Sequence, residues 1–499
     1  MNKGTIIVLG VFAVLLVAVL ATREDHVSVG VRKLELPRVE KDKVTSLELG
    51  GARSARLEKE GEGWRVVDPA KPERKYAADE TLVTAALSAL SELRNPDFVT
   101  DRVETHAEYE LDDAKGLKLK VARTDGPAVE LVLGKAAKNG GFYVRKAGAN
   151  EVFVSHGALD GAVRKDVSEW RKRAILSLKA EDLTQLTLRS KDGEVVTVNA
   201  GTSPGQWSVA EGTKLPAGFR FDPRLAQQVA QQFASLRAQD FLEGDAAADT
   251  ATGLGGPHDT VEAKLKEGRS VVVHIAPAPE GKEASGPVAA RVDGDPQVYQ
   301  LASYSAGALR KRLSDLRDLS LFHFDQHKVT KLMLRTGSTT ILAAKTGEQW
   351  TIIEPKTLPA GFQFESSQVE AQLGWLGSLR ATRVLDNAPT EAQMGVNAPV
   401  TLVEISLEAV QPQTLRLGKD APESTPGTKE VYARSSIDSL AYVLPEYVKT
   451  RLAQGVQLFK KPEMPPGGPG QMQGLDQLPP QVREQLEAQL RARQMQQRQ

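Results

Sequence analysis

No cysteine occurs among the 499 residues. That excludes thiolate catalysis, disulfide staples, cysteine zinc sites and a lipid anchor on a thiol. An excess of charge is lacking too. The 64 Lys and Arg residues balance 64 Asp and Glu, so no global field draws in nucleic acid or acidic partners. Aromatic residues are only 5%, but the 26% of charged residues is ordinary for a globular chain. No phosphate-cradling loop is present, because Gly134-Lys135 and Gly418-Lys419 lack both the upstream glycine and the following Ser or Thr.

Long apolar runs are absent except for one. "GTIIVLGVFAVLLVAVLAT", Gly4 to Thr22, predicts a helix of about 28 Å, close to the hydrocarbon thickness of a bilayer. It is longer than a usual signal-peptide core, which favours a transmembrane anchor. The rival reading is a cleaved signal peptide, with Val19-Leu20-Ala21 as the cleavage site. Lys3 and the free amine favour a cytoplasmic N-terminus, against Arg23, Arg32 and Lys33 on the other side. Either reading places the bulk of the chain outside the cytoplasmic membrane.

What the sequence does contain is repetition. Trp64, Trp207 and Trp350 stand 143 residues apart each time, and each follows a turn: "EGEGW", "SPGQW", "TGEQW". Alternating runs flank these turns, "ARLEKE" and "WRVVDP" in the first case, which is the signature of a β-hairpin. "VTSLEL", "LTQLTL" and "VTKLML" add a preceding strand to each. A helix follows, capped by Asp79 and Asp222 in the first two copies and by Ser366 in the third. Its apolar stripe reads Leu82, Ala86, Leu90, Leu93, then Leu225, Val229, Phe233, Leu236, then Val369, Leu373, Leu376, Leu379. Four further strand-like runs close each copy. "LPAGF" at 215–219 and 358–362 bridges hairpin to helix in the last two copies and reads as a scaffold loop, with Gly218 and Gly361 permitting the turn.

The expected fold is therefore α+β. An N-terminal transmembrane helix precedes three tandem repeats of mostly antiparallel sheet, each with a packed helix. The segments are a cytoplasmic N-terminus at 1–3, an anchor at 4–22, a linker at 23–39, repeats at 40–177, 178–325 and 326–461, and a tail at 462–499. The tail is a Pro/Gly-rich linker ending in "QVREQLEAQLRARQMQQ", whose narrow stripe of Val482, Leu486 and Leu490 serves either a partner helix or no packing at all.

"GWRVVDP", the Asp-capped helix and "WRKRAILSLKAEDLTQLTL", read together, resemble the bacterial domain-of-unknown-function 4340 family, in three copies from about 40 to 461. Members of that family often accompany ABC-transporter components of the gliding-motility type. The resemblance implies a non-enzymatic accessory or assembly protein of the inner membrane, with its bulk in the periplasm and a permease and an ATPase as partners. It brings no catalytic, cofactor or metal residues. The alternative is a module that binds an envelope polymer or lipid in grooves between the repeats.

Individual motifs do not argue for catalysis. Gly201-Thr202-Ser203-Pro204-Gly205 matches a nucleophile-elbow pattern, yet the oxyanion hole needs the N–H after the serine and Pro204 has none. His323, Asp325 and His327 in "HFDQH" fall at a repeat junction, where an extended chain lays them along one solvated face. His26, His106, His156, His258 and His274 show no ligand spacing, and "GLGGPH" reads as a turn. "RKDVSEWRKR" (164–173) and "RKRLSDLRD" (310–318) are expected as short helices whose basic face snorkels to solvent, or else meets anionic headgroups in the repeat nearest the membrane.

Overall fold

Hairpin follows hairpin because each apolar/polar alternation is broken by a short turn, in most cases one with glycine. In the computed structural model, residues 39–51, 53–93, 97–138, 140–278, 286–408, 410–422, 424 and 427–462 are described. The expected anchor at 4–22, nearly all of the linker and the tail from 463 lie outside them. Among the described residues no helix is long and apolar enough to cross a membrane.

The first sheet has nine strands: β1 (Val44–Gly50), β2 (Ala55–Glu60), β3 (Gly63–Asp68), β4 (Lys71–Ala77), β5 (Asp97–Thr100), β6 (Leu117–Arg123), β7 (Val129–Ala136), β8 (Phe142–Lys146) and β9 (Val152–Ser155). They lie in the order β4-β3-β2-β1-β6-β7-β8-β9-β5, and every pairing is antiparallel. Helix α1 (Glu80–Ser91) crosses one face of this sheet. Asp79 caps it, accepting from the Thr81 and Leu82 amides, as expected from the sequence. Val83, Ala86, Leu87 and Leu90 of α1 share a core with Leu47, Leu57, Trp64, Leu119, Leu131 and Trp170. On the opposite face, the segment leading to β6 covers one end through Leu111, Val132 and Val152. Among the described residues, nothing covers the rest of that face.

Two further sheets repeat the strand order without β4. One runs Trp207–Val209, Val195–Ala200, Leu183–Arg189, Asp259–Leu265, Ser270–Ile275, Val288–Val292, Val298–Leu301, Asp240–Leu242. The other runs Gln349–Glu354, Thr339–Thr346, Val329–Thr336, Thr401–Leu407, Val410–Ala421, Glu430–Ser435, Ala441–Pro445, Arg383–Val384. Each carries one long helix, α2 (Pro223–Ala234) and α3 (Ser366–Ser378). The three spaced tryptophans are all buried.

Three expectations need correction. Ser366 does not cap α3. Glu365 stands at the N-cap without a side-chain bond, and Ser366 Oγ accepts from the Trp350 amide at 3.1 Å. Glu80 does the same for Trp64 at 2.9 Å, so this position ties helix to hairpin rather than closing the helix end. Of the basic segments, only Val167–Trp170 and the 3-10 turn Leu313–Leu316 are helical. Arg171 and Arg317 are 5% and 6% exposed and do not snorkel at all.

The chain divides into two compact units. One comprises the residues to Thr213 together with Pro223–Leu316, and holds the first two sheets. The other comprises Lys214–Asp222 and Arg317 onward, and holds the third.

Candidate functional site

Within the first unit, the chain leaving the first sheet forms a β-bridge between Ala78 and Arg171 before entering the second. This fixes the Arg171 backbone and sends its guanidinium between two rings. The Tyr76 centroid lies 3.5 Å from it and the Phe241 centroid 3.7 Å. Arg171 donates to Glu243 Oε1 at 2.6 Å and to Gln297 Oε1 at 2.7 Å. Glu243 also accepts from Tyr76 Oη at 2.6 Å and from Arg74 at 2.9 Å. Burial alone would raise the Glu243 carboxyl, but the hydrogen bonds from Tyr76, Arg171 and Arg74 outweigh it and hold its pKa below the ordinary range. Burial lowers the Arg171 pKa, and Glu243 works against that shift. Tyr76 is pushed up, by burial first and then by the Glu243 hydrogen bond. A groove of about 820 Å³ runs beside this cluster, and within its lining Arg74, Arg171 and Glu243 are engaged with one another.

The second unit contains a related cluster. Phe221 bridges Arg317, which donates to Asp386 at 3.2 Å and lies 5.2 Å from the Phe219 ring centroid. Arg220 pairs with Asp438 at 3.1 Å and donates to Tyr442 Oη at 3.0 Å. The "LPAGF" loop thus sits where Arg74 and Tyr76 sit in the first cluster. Phe219 and Phe362 each donate their amide to the proline three residues earlier, at 3.0 Å, and Gly218 and Gly361 hold positive φ in these turns. Phe364 makes the corresponding bridge to Lys460.

A cleft of about 660 Å³ occupies the uncovered face of the first sheet. Side chains of β1, β2, β6, β7 and β8 form its floor, and the Pro69–Pro72 corner forms one wall. Its charges pair internally: Arg56 with Glu48 at 3.4 Å, Lys118 with Asp113 at 2.8 Å and Lys120 with Glu130 at 3.1 Å.

The sequence candidates are placed as follows. Gly201–Gly205 forms an exposed hairpin turn ahead of Trp207, with the Gln206 amide donating to Ser203 O. Asp325 accepts from the His327 amide at 3.0 Å, while His323 faces Asp318 at 3.2 Å, so the three side chains of "HFDQH" do not converge. Spacing gave no hint of one arrangement. His258 Nε2 meets His274 Nδ1 at 2.9 Å, and His274 Nε2 meets Asp293 at 2.7 Å, a linear relay across the face of the second sheet. Among the described residues no group of three or more His, Asp or Glu side chains converges as a metal site.

The family model described as "Domain of unknown function (DUF4340)" matches residues 64–257 and 281–399, in two segments. No curated protein and no solved structure matches the chain.

Proposed function

Since the chain belongs to the DUF4340 family, whose description names no chemistry, we propose from its own residues that it is a membrane-anchored, extracytoplasmic accessory subunit of an ABC-type transport system. It would act by holding partners in place and would catalyse no reaction. The Arg171–Glu243 cluster carries this reading. A partly buried ion pair of the first unit joins its two sheets, which suits a scaffold that must present surfaces at a fixed spacing. The apolar run at 4–22 supports attachment to the inner membrane, with the sheets on the periplasmic side. The three-copy organisation of the family domain belongs to the same proposal.

Affinity purification of the full-length chain from detergent-solubilised membranes, followed by mass spectrometry, tests it. A permease and an ATPase are expected to come with the anchored form and to be depleted for a chain beginning at Arg23. Recovery of neither with a folded, membrane-bound protein sinks the proposal and favours ligand binding by the sheets.

A further inference from the structure

Arg145 on β8 differs from its counterparts. Register places it opposite Val132, as Arg291 stands opposite His274 in the second sheet and Arg434 opposite Arg416 in the third. The counterparts have carboxylate partners: Asp249 for Arg291 at 2.9 Å, and Glu391 for Arg434 at 3.5 Å. Those acids open the short helices Asp249–Thr252 and Glu391–Met394, a turn before Gly253 and Gly395. The corresponding position of the first sheet is His106, whose ring bonds the Asn150 carbonyl instead. Arg145 is left with carbonyls, donating to Leu111 O at 3.0 Å and to Lys146 O and Ala149 O at 3.4 Å. Its Nη2 has no hydrogen-bond partner, and no carboxylate lies within ion-pair distance, among the described residues. Asp113 is near enough to oppose the burial that lowers the Arg145 pKa, but its carboxylate is held by Lys118.

A second difference lies three strands away on the same cross-strand row, through Val132 and Lys118 to Gly50. Gly50, opposite Lys118, is replaced at the same register by Arg189, opposite Thr260, and by Arg335, opposite Leu402. The first sheet therefore has a hollow where the others carry a long side chain. Among the described residues the other lining charges are paired, and Arg145 is the lining cation without a carboxylate at ion-pair distance, in a cleft of small-molecule size. Pro69, Pro72 and Ala147, with the aliphatic stems of Lys118 and Lys120, offer carbon surface beside it.

We propose that this cleft is a binding site for a small amphipathic monocarboxylate, its head on Arg145 and its chain lying over Gly50. Paired walls leave no site for a second negative charge, and the guanidinium supplies the charge-assisted hydrogen bond that orients the head.

Calorimetric titration of the full-length protein in lipid nanodiscs with octanoate tests this, with empty nanodiscs subtracted and octanol as the uncharged counterpart. The expected result is one saturable octanoate site and none for octanol. Arg145→Met weakens binding about tenfold or more. Gly50→Arg does likewise by filling the hollow as the other sheets do. A Cβ at Gly50 meets Lys118 Cβ at an ordinary 3.6 Å, so this variant is expected to fold with an unchanged melting temperature. Absence of a saturable octanoate site, octanol binding as tightly, or affinity that survives either substitution overturns the proposal.

Discussion

Arg171 and Glu243, 72 residues apart in sequence, share a 2.6 Å hydrogen bond that joins the exit of the first sheet to the edge of the second. The guanidinium is buried and flanked by two aromatic rings, so its removal costs both packing and charge. Arg171→Met is expected to destabilise the first unit by about 3 kcal/mol, because Glu243 loses its main partner in a partly desolvated site. Hydrogen exchange should quicken in Lys71–Ala77 and Asp240–Leu242 before it does in the third sheet. Uniform exchange across all three sheets would show that the cluster does not set local stability.

The same cluster fixes a pH window. The folded pKa of Glu243 is lowered, so its contribution is complete above the ordinary carboxylate range and is lost as pH falls through the folded value. Tyr76 is shifted the other way. Its contribution is complete below the ordinary phenol value and disappears as pH rises through the raised one. Unfolding followed against pH should therefore show losses at both ends. Glu243→Gln should flatten the acid limb, and an unchanged acid limb would count against this account.

Glu110 adopts φ 57°, where Gly253 and Gly395 stand at 78° and 75° in the other two sheets. A side chain in the left-handed region carries a steric cost that glycine escapes. Glu110→Gly should raise stability by about 0.5–1 kcal/mol, measured by chemical denaturation. A loss of stability would mean that the glutamate side chain has a compensating role.

Two glycines that superficially suggest a nucleotide loop have a packing role. A Cβ at Gly134 would fall 2.1 Å from Tyr109 O, and one at Gly418 would fall 2.1 Å from Met394 O. Gly418→Ala is expected to cost about 1–3 kcal/mol through forced displacement. Gly307→Ala, inside the helix Ser303–Leu309 with open space around it, should instead stabilise by roughly 0.5–1 kcal/mol. Differential scanning of both variants separates the two effects.

Local pattern carried much of the architecture. The tryptophan spacing located hairpins and core alike, since a residue that opens a half-buried strand must face inward for the alternation to hold. The Asp79 cap and the apolar stripes of α1, α2 and α3 were legible for the same reason. What escaped were relationships across sequence distance. Arg171 sits in a segment whose charge reads as a solvated face, and its burial is intelligible only once Tyr76, Phe241 and Glu243 surround it. Lys71–Ala77, where the other copies carry "LPAGF", forms an added strand that its Pro- and charge-rich sequence does not announce. The cleft depends on what Gly50 lacks relative to Arg189 and Arg335, a comparison that needs the strand register. His258, His274 and Asp293 meet because neighbouring strands put them side by side, which no one-dimensional spacing encodes.

The outer strands of these sheets have a consequence for life in a crowded compartment. A bare strand edge is a template on which another chain can add. β4 carries Pro72 amid Lys71, Glu73, Arg74 and Lys75, so the extra strand of the first sheet ends it with a missing donor and mixed charge. At the opposite margins lie Asp97–Thr100, Asp240–Leu242 and Arg383–Val384, strands of four, three and two residues. None is long enough to seed an extended ladder. These margins of the sheets therefore offer little template on which a foreign chain could add.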